Sequence, residues 1–151
     1  MLVQAVDHVA VTVPDLDDAV SLLTQVFGAH ELYRRAYTPT GDEMVTQYNT
    51  HPDATYRLAK LQLAGAHLEL FEYTAPDQRV DHPRNADVGG GHLGLRVADV
   101  DAAVASLAAE PRVRVLGTVQ QIQPPHPLAG RRWIYLLTNW GLQLELVSRV
   151  C

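Results

Sequence analysis

At 151 residues, with 47% hydrophobic and 19% charged side chains, the chain has the length and makeup of one globular domain that buries a sizeable core. Its formal charge of −5 argues against a nucleic-acid partner, because phosphate binding needs clustered Lys and Arg. The single cysteine, Cys151, is the last residue, which excludes a disulfide-stapled secreted scaffold and makes the cytoplasm the expected compartment.

The chain opens Met-Leu-Val-Gln-Ala-Val-Asp-His, without the basic and long apolar regions of a signal peptide, so none is expected. No apolar run approaches the roughly 20 residues of a membrane helix, and no membrane partner is expected. In the stretch from His8 to Val13, Val9, Val11 and Val13 alternate with His8, Ala10 and Thr12. That is the period of a half-buried strand, and it points His8 away from the valine face. Asp15 is then placed to N-cap a helix, with Asp17 and Asp18 near its positive end. Leu16, Ala19, Val20, Leu23, Val26 and Phe27 form its apolar stripe, and Gly28 supplies a stop. Strand-like runs follow at 29–38, 56–64 and 66–73, the last alternating Leu68 and Leu70 with His67, Glu69 and Phe71. A polar, Pro-bearing stretch over 74–90 reads as a linker. The second half opens with a strand that begins at His92. Asp99 is its helix cap, and Val100, Ala103, Val104 and Leu107 form the stripe before Pro111. Further strand-like runs cover 112–119, 131–138 and 142–149, and residues 123–130 form a loop placed to line or cover a pocket.

The two halves read alike. Residues 8–23 align without gaps to 92–107, and seven of these sixteen positions are identical: His8/His92, Val13/Val97, Asp15/Asp99, Asp17/Asp101, Ala19/Ala103, Val20/Val104 and Leu23/Leu107. A second match links Gly65-x-x-Leu68-Glu69-Leu70 to Gly141-x-x-Leu144-Glu145-Leu146. The blocks keep their order in both halves, so an internal duplication is expected. Module 1 covers about 1–75 and module 2 about 88–151, joined by the linker into a single domain. The paired aspartates read as helix caps in preference to ligands.

Each half thus carries one His on its first strand and one Glu on its last, on the face opposite the helix-packing residues. An ionisable group in an apolar strand needs a partner, because burying it unpaired is costly. Two neutral imidazoles and two carboxylates, His8, Glu69, His92 and Glu145, form a shell for one divalent metal whose charge offsets the repulsion between the carboxylates. Zn, Ni, Co, Mn and Fe all suit such donors, so the metal's identity stays open. A fully satisfied His–Glu network without metal is the alternative. His67 shares Glu69's face but sits two positions away, roughly 6.5 Å along a strand, and is expected to line the pocket. Arg96, on the face of His92, is placed to anchor an anionic or hydroxylated substrate, a salt-bridged strand arginine being equally open. Tyr48, Trp133 and Tyr135 are candidate pocket walls, with core packing the alternative. His30, His51, His82 and His126 fall in or beside loops, the ordinary place for exposed histidines.

At these residues the chain resembles the vicinal oxygen chelate superfamily, the glyoxalase/bleomycin-resistance/dioxygenase group. The resemblance covers nearly the whole chain. It rests on the openings DHVAVTVPDLDDAV and GHLGLRVADVDAAV, on the closing strands LELFE and LELVS, and on GRRWIYLLTNWGLQLELVS, where the family often has Pro-Trp-Gly in place of Asn139-Trp140-Gly141. It implies an α+β fold of two βαβββ modules, forming an open, curved-sheet barrel around a metal site with one helix outside each module. It also implies a small-molecule substrate and a homodimer. Ring-cleaving dioxygenases and fosfomycin-type transferases of the family usually use two His and one Glu, and its bleomycin-sequestering members lack the quartet. A full His–Glu–His–Glu set therefore favours the isomerase, epimerase and lyase branch. The expected reaction moves a proton alpha to the carbonyl of a small hydroxy-ketone, sugar-like or cyclitol, through a metal-stabilised enediolate. Glu145 or Glu69 is the catalytic base, with Glu145 preferred because its strand lies in the segment most similar to that branch. A glyoxalase I-type lyase, an acyl-CoA epimerase (usually with Gln at the position of Glu69), a ring-cleaving dioxygenase and a metal-free drug-binding protein are the alternatives. The first is disfavoured by the closing NWGLQLEL, which lacks the DPDGYWIE style of glyoxalase I.

Overall fold

Two aspartates at repeat-equivalent positions start the two longer helices. The Asp15 carboxylate accepts from the Asp18 amide at the head of α1 (Leu16–Gln25), and Asp99 accepts from the Asp101 and Ala102 amides at the head of α3 (Val100–Ser106). Each satisfies donors that the first helical turn leaves open. The computed structural model describes residues 2–37 and 41–148. Cys151 and the last residues of the strand-like runs 29–38 and 142–149 lie outside the described residues. Around the helices run β1 (Val9–Thr12), β2 (His30–Tyr37), β3 (Thr55–Leu63), β4 (Ala66–Thr74), β5 (His92–Arg96), β6 (Val113–Gln121), β7 (Arg132–Thr138) and β8 (Gln143–Val147). A further short helix, α2 (Asp42–Thr46), stands between β2 and β3.

The chain divides into two compact units, residues 1–80 and 81–151. Each unit builds one open, mixed, four-stranded sheet, in the orders β1-β4-β3-β2 and β5-β8-β7-β6. In both, the first strand runs parallel to the last, and the remaining pairs are antiparallel. This is the expected α+β architecture of two βαβββ modules, with α2 added in the first. The parallel pairing needs a crossover, and α1 or α3 begins each one. Among the described residues no helix is long and apolar enough to cross a membrane.

Alternation along the strands sorts the side chains. In unit 1, Leu61, Leu68 and Leu70 are buried on one side of the sheet, the side on which α1 buries Leu16, Ala19, Val20, Leu22 and Leu23. Each large aliphatic side chain so buried contributes about 1.5–3 kcal/mol. In unit 2, Ile134, Leu136, Leu144 and Leu146 form the corresponding layer, with Val100 and Leu107 from α3 and its C-cap.

The stripe of α1 differs from its expected composition. Leu22 is fully buried, whereas Val26 and Phe27 are only half-buried beyond the helix end. Gly28 takes φ +73° and stops the helix as expected. The stripe of α3 is thinner than expected, because Ala103 and Val104 stay half-buried and only Val100 within the helix is buried. The short α2 has no expected counterpart. It buries Met44 against Tyr56 and Leu58, and so covers part of the other face of the first sheet.

Candidate metal centre

The two glutamates occupy matching places. Glu69 lies on β4, paired with Ala10 on one side and Lys60 on the other. Glu145 lies on β8, paired with Gly94 and Tyr135. Their neighbours along each strand, Leu68 and Leu70 or Leu144 and Leu146, are buried on the helix side, so both carboxylates stand on the opposite face. His8 immediately precedes β1 and His92 begins β5. In each unit the ring Nε2 lies 3.4 Å from the glutamate Oε2: His8 to Glu69, and His92 to Glu145.

The other ring nitrogen is held from behind in both units. His8 Nδ1 lies 2.7 Å from Asp7 Oδ1, and His92 Nδ1 lies 3.1 Å from Asn85 Oδ1. An ionised carboxylate and an amide carbonyl oxygen can only accept, so each Nδ1 donates. A neutral ring then turns the lone pair of Nε2 toward the glutamate. The 3.4 Å spacing exceeds the 2.7–3.2 Å of an N–H···O bond. It matches the roughly 3.0–3.4 Å between two donors that would each sit about 2.1 Å from a common cation at bond angles of about 90–110°. Ligating histidines ordinarily give their second N–H to an oxygen. The donor type, the spacing and the orienting oxygens therefore fit a divalent metal in both units. Among the described residues no three His, Cys, Asp or Glu side chains form one metal-binding group. Each unit offers two donors.

The surroundings of the two pairs differ. Lys60 Nζ lies 3.3 Å from Glu69 Oε1 and 3.6 Å from Asp7 Oδ1. Hydrogen bonding by His8, joined by the charge of Lys60, holds the Asp7 carboxyl below its usual range. Burial works against the Lys60 ammonium, but its hydrogen bond to Glu69 and the charges of Asp7 and Glu69 prevail and hold it above its ordinary value. In unit 2 the place of Lys60 is taken by Tyr135. Its ring meets His92 edge-on at 5.1 Å between centroids, and Trp133 stands edge-on to Tyr135 at 5.1 Å.

The remaining expected site residues lie farther off. His67 is half-buried two residues before Glu69 on β4, paired with Gln62. Arg96 ends β5, four residues from His92, and lines a recess of about 530 Å³ with Arg132 and Ser148. Tyr48 follows α2, meets Tyr56 through their hydroxyls at 3.2 Å, and borders a recess of about 840 Å³ with Tyr73, His51 and Arg79. Asp7, Lys60 and Asn85 were not among the expected site residues. Asp7 stands beside His8 in the sequence and was within reach. Lys60 reaches Glu69 only through strand pairing, and Asn85 reaches His92 only through the fold of a polar loop.

A duplicated βαβββ protein with one oriented His–Glu pair in each copy is the class that fold and site define. The chain belongs to the Glyoxalase/Bleomycin resistance protein/Dioxygenase superfamily, which it matches over residues 5–146. It is 52% identical over 145 residues to a 2-epi-5-epi-valiolone epimerase of Actinomyces sp., a match covering 95% of this chain and 79% of that protein. Its fold is similar to the crystal structure of a glyoxalase family protein from Bacillus cereus (TM-score 0.76, 21% identity, 99% of this chain and 96% of that one). It is also similar to that of the fosfomycin resistance protein FosX from Listeria monocytogenes, complexed with Mn(II) and sulfate (TM-score 0.63, 16% identity, 97% and 93%).

Proposed function

We propose that this protein is a metal-dependent epimerase that inverts a carbon beside the carbonyl of a cyclitol-type hydroxy-ketone. The observation that carries the site is the pair repeated in both units: Nε2 at 3.4 Å from a glutamate Oε2, with Nδ1 held by a separate oxygen. The substrate class is supported by the 52% identity, over 95% of the chain, to a protein named as a 2-epi-5-epi-valiolone epimerase. His8, Glu69, His92 and Glu145 would hold one divalent metal. When bound, the metal supplies Lewis-acid stabilisation of the negative charge that develops on the carbonyl oxygen.

The protein's own groups do the rest. Asp7 and Asn85 fix the two rings, so the donors stay aimed without reorganisation. Glu145 takes the proton from the carbon next to the carbonyl, a proton from solvent is delivered to the opposite face and inverts that centre, and Glu145 then gives up its proton to solvent. Tyr135 and Trp133, beside Glu145 on its face of the sheet, offer aromatic walls to the C–H faces of a ring substrate and help exclude water.

Two measurements test this reading together. Elemental analysis of purified protein should find about one divalent metal per chain. Incubation with a cyclitol hydroxy-ketone in D₂O should wash deuterium into the carbon beside the carbonyl and produce the epimer. Metal-free protein whose thermal stability is unmoved by added Zn(II), Ni(II), Co(II) or Mn(II) overturns the metal site. Metal-loaded protein without exchange overturns the reaction.

A further inference from the structure

The two His–Glu pairs match, but their settings do not. Around Glu69 four side chains close a ring: His8 Nε2 to Glu69 Oε2 at 3.4 Å, Glu69 Oε1 to Lys60 Nζ at 3.3 Å, Lys60 Nζ to Asp7 Oδ1 at 3.6 Å, and Asp7 Oδ1 to His8 Nδ1 at 2.7 Å. The Lys60 ammonium attracts both Glu69 and Asp7, and His8 Nδ1 donates to Asp7, while the His8 Nε2 lone pair and Glu69 Oε2 stand side by side as two donors of one cation would. The Lys60 side chain is 17% exposed and that of Glu69 15% exposed, so their contact is shielded from the solvent that weakens open surface pairs, whereas Asp7, at 78%, stands on the open side of the ring. Around Glu145 the contacts among the described residues close no such ring. His92 leans on the neutral Asn85, and the residue opposite Glu145 on β7 is Tyr135 instead of a cation. Lys60 is the only lysine in the sequence, and it stands at the register position where the second unit has that tyrosine.

We infer that Lys60 is a positioning residue that locks Glu69 and thereby makes the two glutamates inequivalent: Glu69 stays as a fixed ligand, and Glu145 is left free to move. The inference rests on the metal-site reading above and adds to it a division of labour between the glutamates. One oxygen of Glu69 is taken by Lys60, which keeps the other turned toward His8 and bars the carboxylate from swinging or binding through both oxygens. Glu145 has no such restraint from a lysine. Charge supports the pairing. Asp7 orients His8 but adds a negative charge, and Lys60 offsets it. Each half-site is then left with one net negative charge, and the two together match a divalent cation.

The test uses Co(II) alone as the probe, on the full chain, with binding followed by calorimetric titration and by the visible absorption of the bound ion. Deleting a cation beside the site would by itself strengthen the binding of a divalent ion. Positioning predicts the opposite. Lys60→Met should bind Co(II) roughly 10-fold or more weakly, with altered absorption bands as Glu69 loosens. Lys60→Arg, which keeps charge and donors, should restore affinity and bands. The circular dichroism of each variant guards against loss of fold, and the Arg variant carries the test if Lys60→Met does not fold: Arg must then match wild type. Binding as tight as or tighter than wild type in Lys60→Met overturns the inference, because Lys60 would then be a charge that opposes the metal. Wild-type protein that takes up no Co(II) overturns the metal-site reading itself, a distinct result.

Discussion

Glu69 and Glu145 are the same chemical group in different company, and the difference has kinetic consequences. Glu→Gln keeps the size and one oxygen donor but removes the capacity to accept a proton. Glu145→Gln should keep most of its metal yet lose exchange of the substrate proton by about 10²–10⁴-fold. Glu69→Gln should lose less, because its role is to hold. An exchange assay in D₂O that shows the reverse order would exchange the two roles, and full exchange in both variants with metal still bound would sink a carboxylate base. The residues behind the rings are as testable. Asn85 holds His92 Nδ1 at 3.1 Å, so Asn85→Ala should weaken metal binding by about 10–100-fold in titration, and unchanged affinity would remove Asn85 from the site. Away from the site, hydrogen bonds from the Arg112 side chain and backbone pull the Glu110 carboxyl down to about 2. A carboxyl depressed in the folded state adds stability that is present above its unfolded pKa and lost as pH falls through the folded value. The stability gap between wild type and Glu110→Gln should therefore be full near about pH 6 and fade toward about pH 2. A gap of constant size across that range, measured by urea unfolding, would contradict the pairing.

At the level of elements, the caps and turns of the two units can be compared position by position. Asp15→Ala and Asp99→Ala should each cost about 1 kcal/mol in urea unfolding. The α3 variant should show the larger local loss of amide protection, since only Val100 anchors that helix within its span. Gly65 and Gly141 are repeat-equivalent and both take positive φ, +90° and +97°, but a Cβ on Gly65 meets nothing within 4 Å while one on Gly141 comes within 2.9 Å of His82 Cβ. Both Ala variants carry the left-handed backbone cost of about 1–2 kcal/mol. Gly141→Ala should lose more than Gly65→Ala, and equal losses would show that His82 yields freely. The same comparison shows what a sequence carries. Alternation such as Leu68-Glu69-Leu70 and the matched order of blocks expose the strands, both capped helices and the duplication, because those signals are periodic and local. The α2 helix stayed hidden: five residues give no helical period, and what holds them is the contact of Met44 with Tyr56 and Leu58. Lys60 and Asn85 stayed hidden for a related reason, since strand register and loop folding, not spacing, bring them to Glu69 and His92. Tyr48 and Arg96, expected as pocket residues, each line a recess of their own unit.

For the whole molecule, duplication has preserved one chemical pair twice while its setting diverged: Tyr135 stands at the register position of Lys60, and Asn85, from a loop, holds His92 where the adjacent Asp7 holds His8. The proposed metal centre draws two donors from residues 1–80 and two from residues 81–151. That proposal has a consequence no single unit could produce. A ligand that binds only the folded state stabilises it by mass action, by about 2.7 kcal/mol at a free concentration 100 times its dissociation constant. If His8, Glu69, His92 and Glu145 act on one ion, the loss of either imidazole opens the same shell. His8→Ala and His92→Ala should then each drop metal content from about one per chain to near zero, and each should lose most of the metal-induced rise in Tm. Two separate weak sites, one at each His–Glu pair, predict a different result. Each variant would keep the pair it still has, wild type would approach two ions per chain at saturation, and the two losses would add. Metal content and Tm measured on wild type, the two single variants and the double variant decide between one shared centre and two independent pairs. A double variant no worse than either single variant is the result expected of one centre.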